Sequence, residues 1–328
     1  MTSIDIKKNR SLFLPYKTLV RQTSLAFSRI SGSLKRKGEE ETIIQGSRRP
    51  SDYGGIPISE REKHIIAWKA LIAKSRQFYK EVRFIAYEER MYRSRMIAER
   101  LAAFRVVIEE TDLMVFANDD YGQYVTERVR FYRDQLKAIR NPLFFSSLVP
   151  IEDDPAFPPM VRHMIRTAQA CGVGPMAAVA GAISEYVGRD LLKLSREVII
   201  ENGGDIFLRT HKARTIGIYA GDSPLSNRLS LFVLPEETPL GICTSSGTVG
   251  HSLSFGKADA VVALSEDTLL ADAAATAIAN RVRSKDDIEP AIETAQKIRG
   301  ILGLAIIIGK HLGLWGQIRL SRDSNDKV

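Results

Sequence analysis

Hydrophobic positions along this chain change their spacing several times, and each change marks an element. Phe104-Arg105-Val106-Val107-Ile108 and Leu113-Met114-Val115-Phe116 flank the polar stretch Glu109–Asp112, which predicts a strand–turn–strand unit. Val125, Val129, Tyr132, Leu136 and Ile139 recur at three- and four-residue steps, so 122–140 reads as an amphipathic helix stopped by Asn141-Pro142. Pro158-Pro159 opens a second helix that buries Val161, Met164, Ile165 and Ala168 and ends near Gly172. Met176–Val187 is rich in Ala and Gly and, if helical, can lie very close to a neighbouring sheet. Short β-like segments come after it at 197–201, 205–209, 214–219, 229–234, 239–243 and 258–264. Helices at about 266–283 and 286–299 come next, then strands at 301–308 and 314–320. Strands in antiparallel-looking groups, with helices added in blocks, predict an α+β fold rather than strict βαβ alternation.

Upstream of this pattern the chain is different. Residues 1–60 mix Ser, Lys, Arg and Gly without a sustained period, and only 58–80, with Ile65, Ile66, Trp68, Leu71 and Ile72, predicts a short helix. The expected organisation is therefore a basic, largely disordered extension over 1–90 and one domain over 91–328. Of the 47 basic and 39 acidic residues, 19 and 10 fall in residues 1–90, leaving 28 and 29 for the domain. The formal charge of +8 thus belongs to the extension, and the near-neutral domain argues against a nucleic-acid-binding fold.

Cys171 and Cys243 are the only two cysteines, which excludes a disulfide framework and any CxxC motif. The longest apolar run, Ile301–Ile308, is far shorter than the ~20 residues of a membrane-spanning helix. The N-terminus carries Lys7, Lys8 and Arg10 without the apolar core of a secretory signal, so the expected location is cytoplasmic, with no membrane partner.

Three stretches carry candidate chemistry. Thr244-Ser245-Ser246-Gly247-Thr248-Val249-Gly250-His251-Ser252-Leu253-Ser254-Phe255-Gly256-Lys257 is dense in hydroxyls and glycines, and could hold phosphate or another anion with Lys257 as counter-charge. The same composition suits a solvated, turn-rich connection, and the residues leave both readings open. Asp272 interrupts a helix of small and apolar side chains, with Thr276 four residues on and on the same face. If that helix is buried, the carboxylate needs a cation, a metal or backbone donors; otherwise it faces water or caps a loop. Oxygen ligands of this kind suit Mg²⁺. Asn202-Gly203-Gly204-Asp205 reads as a tight hairpin turn, or as a turn close to a ligand with Asn202 and Asp205 as polar contacts. Cys243 is either half of a thiolate–imidazole pair with His251 or a small buried side chain ending Leu240-Gly241-Ile242. His163 reads as a surface or packing residue.

Taken in order, 172–181, 201–205, 241–248, 251–260 and 271–277 resemble an uncharacterised family within the ApbE superfamily, over roughly Met91 to Leu320. The resemblance implies an ApbE-like α+β domain, mainly antiparallel sheet with packed helices. ApbE itself is a Mg²⁺-dependent transferase that moves FMN from FAD onto Thr or Ser, so Mg²⁺ and FAD or FMN are the implied cofactors. Ala271-Asp272 and Ala275-Thr276 match its metal motif, Thr244, Ser245 and Gly247 its Thr-Ser-Gly entry, and His251 the His beyond that entry. Ser246, Thr248 and Ser254 extend that ligand-binding set, and His251, Lys257 and Cys243 are the candidates for catalysis. Departures count against flavin transfer itself. Leu253-Ser254-Phe255-Gly256 stands where the transferase has Asp-Pro-x-Thr-Gly, and Val173 replaces the Lys of Gly-Lys-Gly. The closer family implies a role in sulfur incorporation into homocysteine, with sulfur-metabolism enzymes as partners. The alternative carried beside a small-molecule-binding enzyme is a non-catalytic accessory, sulfur-carrier or partner-docking protein, and a homo-oligomer is among the expected partners.

Overall fold

The computed structural model describes residues 90, 92–93, 96–248 and 255–322. The expectations for residues 1–89, including the helix at 58–80, lie outside the described residues, as do His251 and Ser254. The first alternating segments form a hairpin, β1 (Ala102–Ile108) and β2 (Thr111–Ala117), joined through Glu109-Glu110. Helix α1 (Gly122–Lys137) buries the predicted stripe of Val125, Val129, Tyr132 and Leu136. Asn141-Pro142, which read as a stop, also starts the five-residue helix α2 (Pro142–Ser146), because the Asn141 side chain accepts from Leu143 N–H. Helix α3 (Pro159–Cys171) ends at Gly172, whose φ of 71° closes the C-terminus in the left-handed conformation. A 3₁₀ turn (Pro175–Ala178) leads into α4 (Val179–Leu191).

The β-rich half then lays down β3 (Val198–Asn202), β4 (Asp205–Arg209), β5 (Arg214–Gly217), β6 (Leu229–Val233), β7 (Leu240–Ser245) and β8 (Ala260–Ser265). It continues with helices α5 (Thr268–Ala279) and α6 (Ile288–Gln296), then β9 (Ile301–Ile308), β10 (His311–Gly316) and β11 (Leu320–Arg322). Eight strands form one antiparallel sheet in the order β1-β2-β3-β4-β7-β8-β9-β10, and β11-β6-β5 form a second. The expected strand 314–320 is instead two strands in different sheets. Gly316, with φ of 77°, turns the chain out of the large sheet, and Gln317 N–H donates to Leu302 O as it leaves.

Strand alternation sorts the core into two layers. Val115, Ile200, Phe207, Cys243, Val261 and Ala263 face the helices, whereas Phe116, Ile199, Ile206, Leu208, Ile242 and Val262 face the small sheet. The fold is thus α+β, with helices on one face of an antiparallel sheet and three further strands on the other. Helix α5 is the hub, packed against β7, β8, α3 and α4 with every residue but Thr276 buried. Its alanines have the highest helix propensity and the shortest apolar side chains, which lets backbones approach closely. A Cβ on Gly241 of β7 would lie 2.5 Å from Thr268 Cα, so the sheet touches the helix backbone itself. The Ala/Gly pattern at 176–187 serves the same close packing. Among the described residues no single helix is long and apolar enough to cross a membrane.

Candidate functional site

Four pieces of chain meet at one end of the large sheet, on its helix side. Asn202 and Asp205 are paired across the β3–β4 turn, where Gly203 and Gly204 hold φ of 71° and 102°, a conformation that disfavours side chains. Asp205 also pairs with Cys243 of β7. The alternation that directs Cys243 to the helices directs Ser245 the same way and Thr244 to the opposite face. The first turn of α4 ties these strands to α5. Asn202 Nδ2 donates to Ala180 O (3.2 Å), Ser184 Oγ donates to Asp205 O (3.1 Å), and Gly181 N–H donates to Asp272 Oδ2 (2.8 Å).

Asp272 is buried, 8% exposed, and its partners are the backbone N–H groups of Gly181 and Ala180. These are free donors at a helix N-terminus, where the helix dipole favours a negative charge. Burial nevertheless outweighs them and raises the carboxyl pKa to about 7. Asp205 is buried as well, and its Oδ1 has no hydrogen-bond partner. Burial and the neighbouring Asp272 charge push its pKa well above the carboxylate range, against the pull of the Cys243 thiol and Thr244 N–H. Burial and the Asp205 charge likewise push the Cys243 thiol up, so Cys243 sits as a neutral thiol 3.4 Å from Thr268 O. Thr276 lies one turn beyond Asp272, half-buried, and Ala271 is fully buried.

Of the two described ends of the Gly/Ser/Thr stretch, the second is anchored at α5's C-terminal end and the first on Ala258 and Asp259. Phe255 N–H donates to Asn280 Oδ1 (2.9 Å) and Lys257 N–H to Val282 O (2.7 Å). Gly247 N–H donates to Ala258 O (2.8 Å), while Ser246 Oγ accepts from Thr248 N–H (3.0 Å) and Thr248 Oγ1 donates to Asp259 Oδ1 (3.2 Å). Gly247, Thr248 and Lys257 are exposed. The stretch therefore starts beside Asp205 and returns along the same helix that carries Asp272 and Thr276. Among the described residues no group of three His, Cys, Asp or Glu side chains could hold a metal. A cation here would rest on two carboxylates, the Thr276 hydroxyl and water. Such a set suits Mg²⁺, which keeps several waters, and the orphaned Asp205 oxygen fits it.

Two clusters escaped the sequence reading. Glu201, on the sheet face opposite Asp205, accepts from Tyr92 Oη (2.7 Å), Arg93 Nε (2.6 Å) and Gly204 N–H (2.8 Å). Arg93 also donates to Asp112 Oδ1 (2.7 Å), so a strap at 90–93 holds the β3–β4 turn from outside. No period or motif around Arg93 announces this. At the far end of α5, Asp267 accepts from Leu269 N–H and Leu270 N–H and pairs with His163 Nε2 at 2.8 Å. His163 is thus an ion-pair partner rather than a packing residue. Burial disfavours its charge, but the Asp267 hydrogen bond and charge prevail and raise its pKa. A histidine raised in the folded state adds stability below its unfolded pKa of about 6.5 and loses it as pH climbs through the folded value. His163→Gln should therefore flatten the pH dependence of stability above about pH 6.5, by below about 1 kcal/mol for this partly exposed pair. Urea melts of both proteins from pH 6 to 8.5 would check it, parallel curves counting against it.

A family model described as "AbpE bacteria" matches residues 93–316. A UPF0280 protein of Methanothermobacter thermautotrophicus is 46% identical over 222 residues, covering 65% of this chain and 85% of the relative. One from Methanosarcina acetivorans is 39% identical over 216 residues, covering 64% and 85%. Among solved structures, the apo flavinyl transferase ApbE of Pseudomonas stutzeri is similar at 15% identity with a TM-score of 0.46, covering 66% of this chain and 94% of that one. With more than half of its length matched and relatives this similar, the chain belongs to the AbpE bacteria family, alongside the UPF0280 proteins.

Proposed function

We propose that the site binds a divalent cation at Asp272 and Thr276 and, beside it, a phosphorylated or flavin-like small molecule on the Thr244–Lys257 stretch and the Gly203-Gly204 turn. What supports the reading is one arrangement: two buried carboxyls, Asp205 with an orphaned Oδ1 and Asp272, are tied to the same first turns of α4, and neither has a salt-bridge partner among the described residues. Buried charge of one sign is costly, and a bound cation offsets it while presenting its remaining coordination positions to phosphate oxygens. Backbone N–H groups of the Gly-rich turns would orient the ligand, and Lys257 would add positive charge at the rim. FAD and FMN enter through the flavin transferases to which the fold is similar; the chemistry of the residues present extends to nucleotides such as ATP.

Calorimetric titration of the full chain with FAD, FMN or ATP, with and without Mg²⁺, tests the reading. Binding of at least one of them should require Mg²⁺, and Asp272→Ala should reduce it by at least about tenfold to a hundredfold, the cost of losing even an outer-shell partner of a metal ligand. Equal affinity in the variant, or no binding in the wild type, would sink it. A second reading is a non-catalytic accessory role in sulfur incorporation. It is favoured by the Gly181 and Ala180 N–H groups, whose donation to Asp272 gives that carboxylate a structural role at the start of α4. A knockout requiring homocysteine or methionine, yet rescued by Asp272→Ala, would support that role over the enzyme.

A further inference from the structure

The carboxyl of Asp205 poses a problem that the hairpin turn does not solve. The residue is 7% exposed, its Oδ1 has no hydrogen-bond partner, and its other attractive contacts are a thiol and one backbone N–H. A buried carboxyl oxygen without a donor costs on the order of 1–3 kcal/mol, more if charged. An apolar residue would fit a strand facing the helices, as Phe207 does two positions on. A second buried carboxyl, Asp272, sits one turn along α5 from Thr268, whose carbonyl accepts from the thiol (3.4 Å) of Cys243, the strand partner of Asp205. Three contacts from α4 tie these pieces together, since Ala180 holds Asn202, Gly181 holds Asp272 and Ser184 holds the Asp205 carbonyl. Both carboxyls are buried, and neither forms a salt bridge among the described residues.

We infer that Asp205 is the second carboxylate ligand of the cation site, bridging from β4 to the metal that Asp272 holds from α5. The inference rests on the cation reading above and adds to it a residue from the opposite side of the site. Two carboxylates and a hydroxyl are hard oxygen donors, which select Mg²⁺ or Mn²⁺ over softer metals. Charge count is a main determinant of affinity at such sites, so one carboxylate alone would hold the ion weakly. Bridging a strand and a helix also gives the ion a structural effect: binding should fasten the β3–β4 turn to α5.

The test uses the full chain and the metal alone, titrated calorimetrically with MgCl₂ and separately MnCl₂. Wild type should bind one ion, Asp272→Asn should lose it, and Asp205→Asn should bind about tenfold to a hundredfold more weakly, the range seen when a metal site loses a supporting group. Glu293→Gln, on the exposed side of α6, should bind as wild type. If Asp272→Asn loses the ion while Asp205→Asn keeps full affinity, Asp205 is no ligand and the cation reading survives without it. If wild type binds no ion, both fall. Should Asp205→Asn fail to fold, the wild-type chain still decides. Fe²⁺ substituted into the site and supplied with ascorbate and hydrogen peroxide should cut the backbone near both residue 205 and residue 272. Cuts near 272 alone would overturn the assignment.

Discussion

Arg93→Met should destabilise the protein by about 3–5 kcal/mol, because it strands a buried charge. Glu201 has 1% side-chain exposure and Asp112 6%, and Arg93, itself 10% exposed, is shared by both. Methionine fills much of the same volume but donates no hydrogen bond, so the Glu201 carboxylate would keep only Tyr92 Oη and Gly204 N–H. Urea unfolding at equilibrium would measure the loss. Adding Glu201→Gln to Arg93→Met should recover part of it, since a neutral amide needs no cation. A cost below about 1 kcal/mol would mean that the pair behaves like a solvated surface bridge.

Gly181→Ala should cost about 3 kcal/mol, a severe penalty for one added carbon, because the obstacle is backbone. Its Cβ would lie 2.6 Å from Thr268 O and 2.9 Å from Asp272 Cβ, and neither is the free end of a flexible side chain. Helices α4 and α5 would have to separate, and the Gly181 N–H would draw back from the Asp272 carboxyl. Ser184→Ala, one turn along α4, offers the comparison: it removes one hydrogen bond and should cost nearer 1 kcal/mol. Equal losses in the two variants would show that α4 and α5 repack freely and that the close approach is not required.

The contrast between these positions shows what the amino-acid order discloses. Elements with their own period were legible: the α1 stripe, the α3 stop at Gly172 and the hairpin across Glu109-Glu110 all arise from local spacing. The Asn202–Asp205 turn and the buried Asp272 helix were legible too, because two glycines and an acid among alanines are local irregularities. Pairings between distant segments were not. Nothing near Asp205 indicates that α4 would hold its carbonyl through Ser184, nor anything near Ala180-Gly181 that their N–H groups would meet the Asp272 carboxyl. Those contacts arise only when the β-sheet brings β4, β7 and α5 together. The split of 314–320 into two strands was hidden for a related reason: Gly316 reads as an ordinary strand glycine until β5 and β6 are in place to receive β11.

The strap of Arg90, Tyr92 and Arg93 makes the hairpin that carries Asp205 depend on three side chains that precede β1. Glu201 accepts from Arg93 and from Gly204 N–H at once, so a single carboxylate joins the strap to the turn. A chain shortened past Arg93 should therefore leave the buried Glu201 carboxylate without that guanidinium and loosen the β3–β4 hairpin.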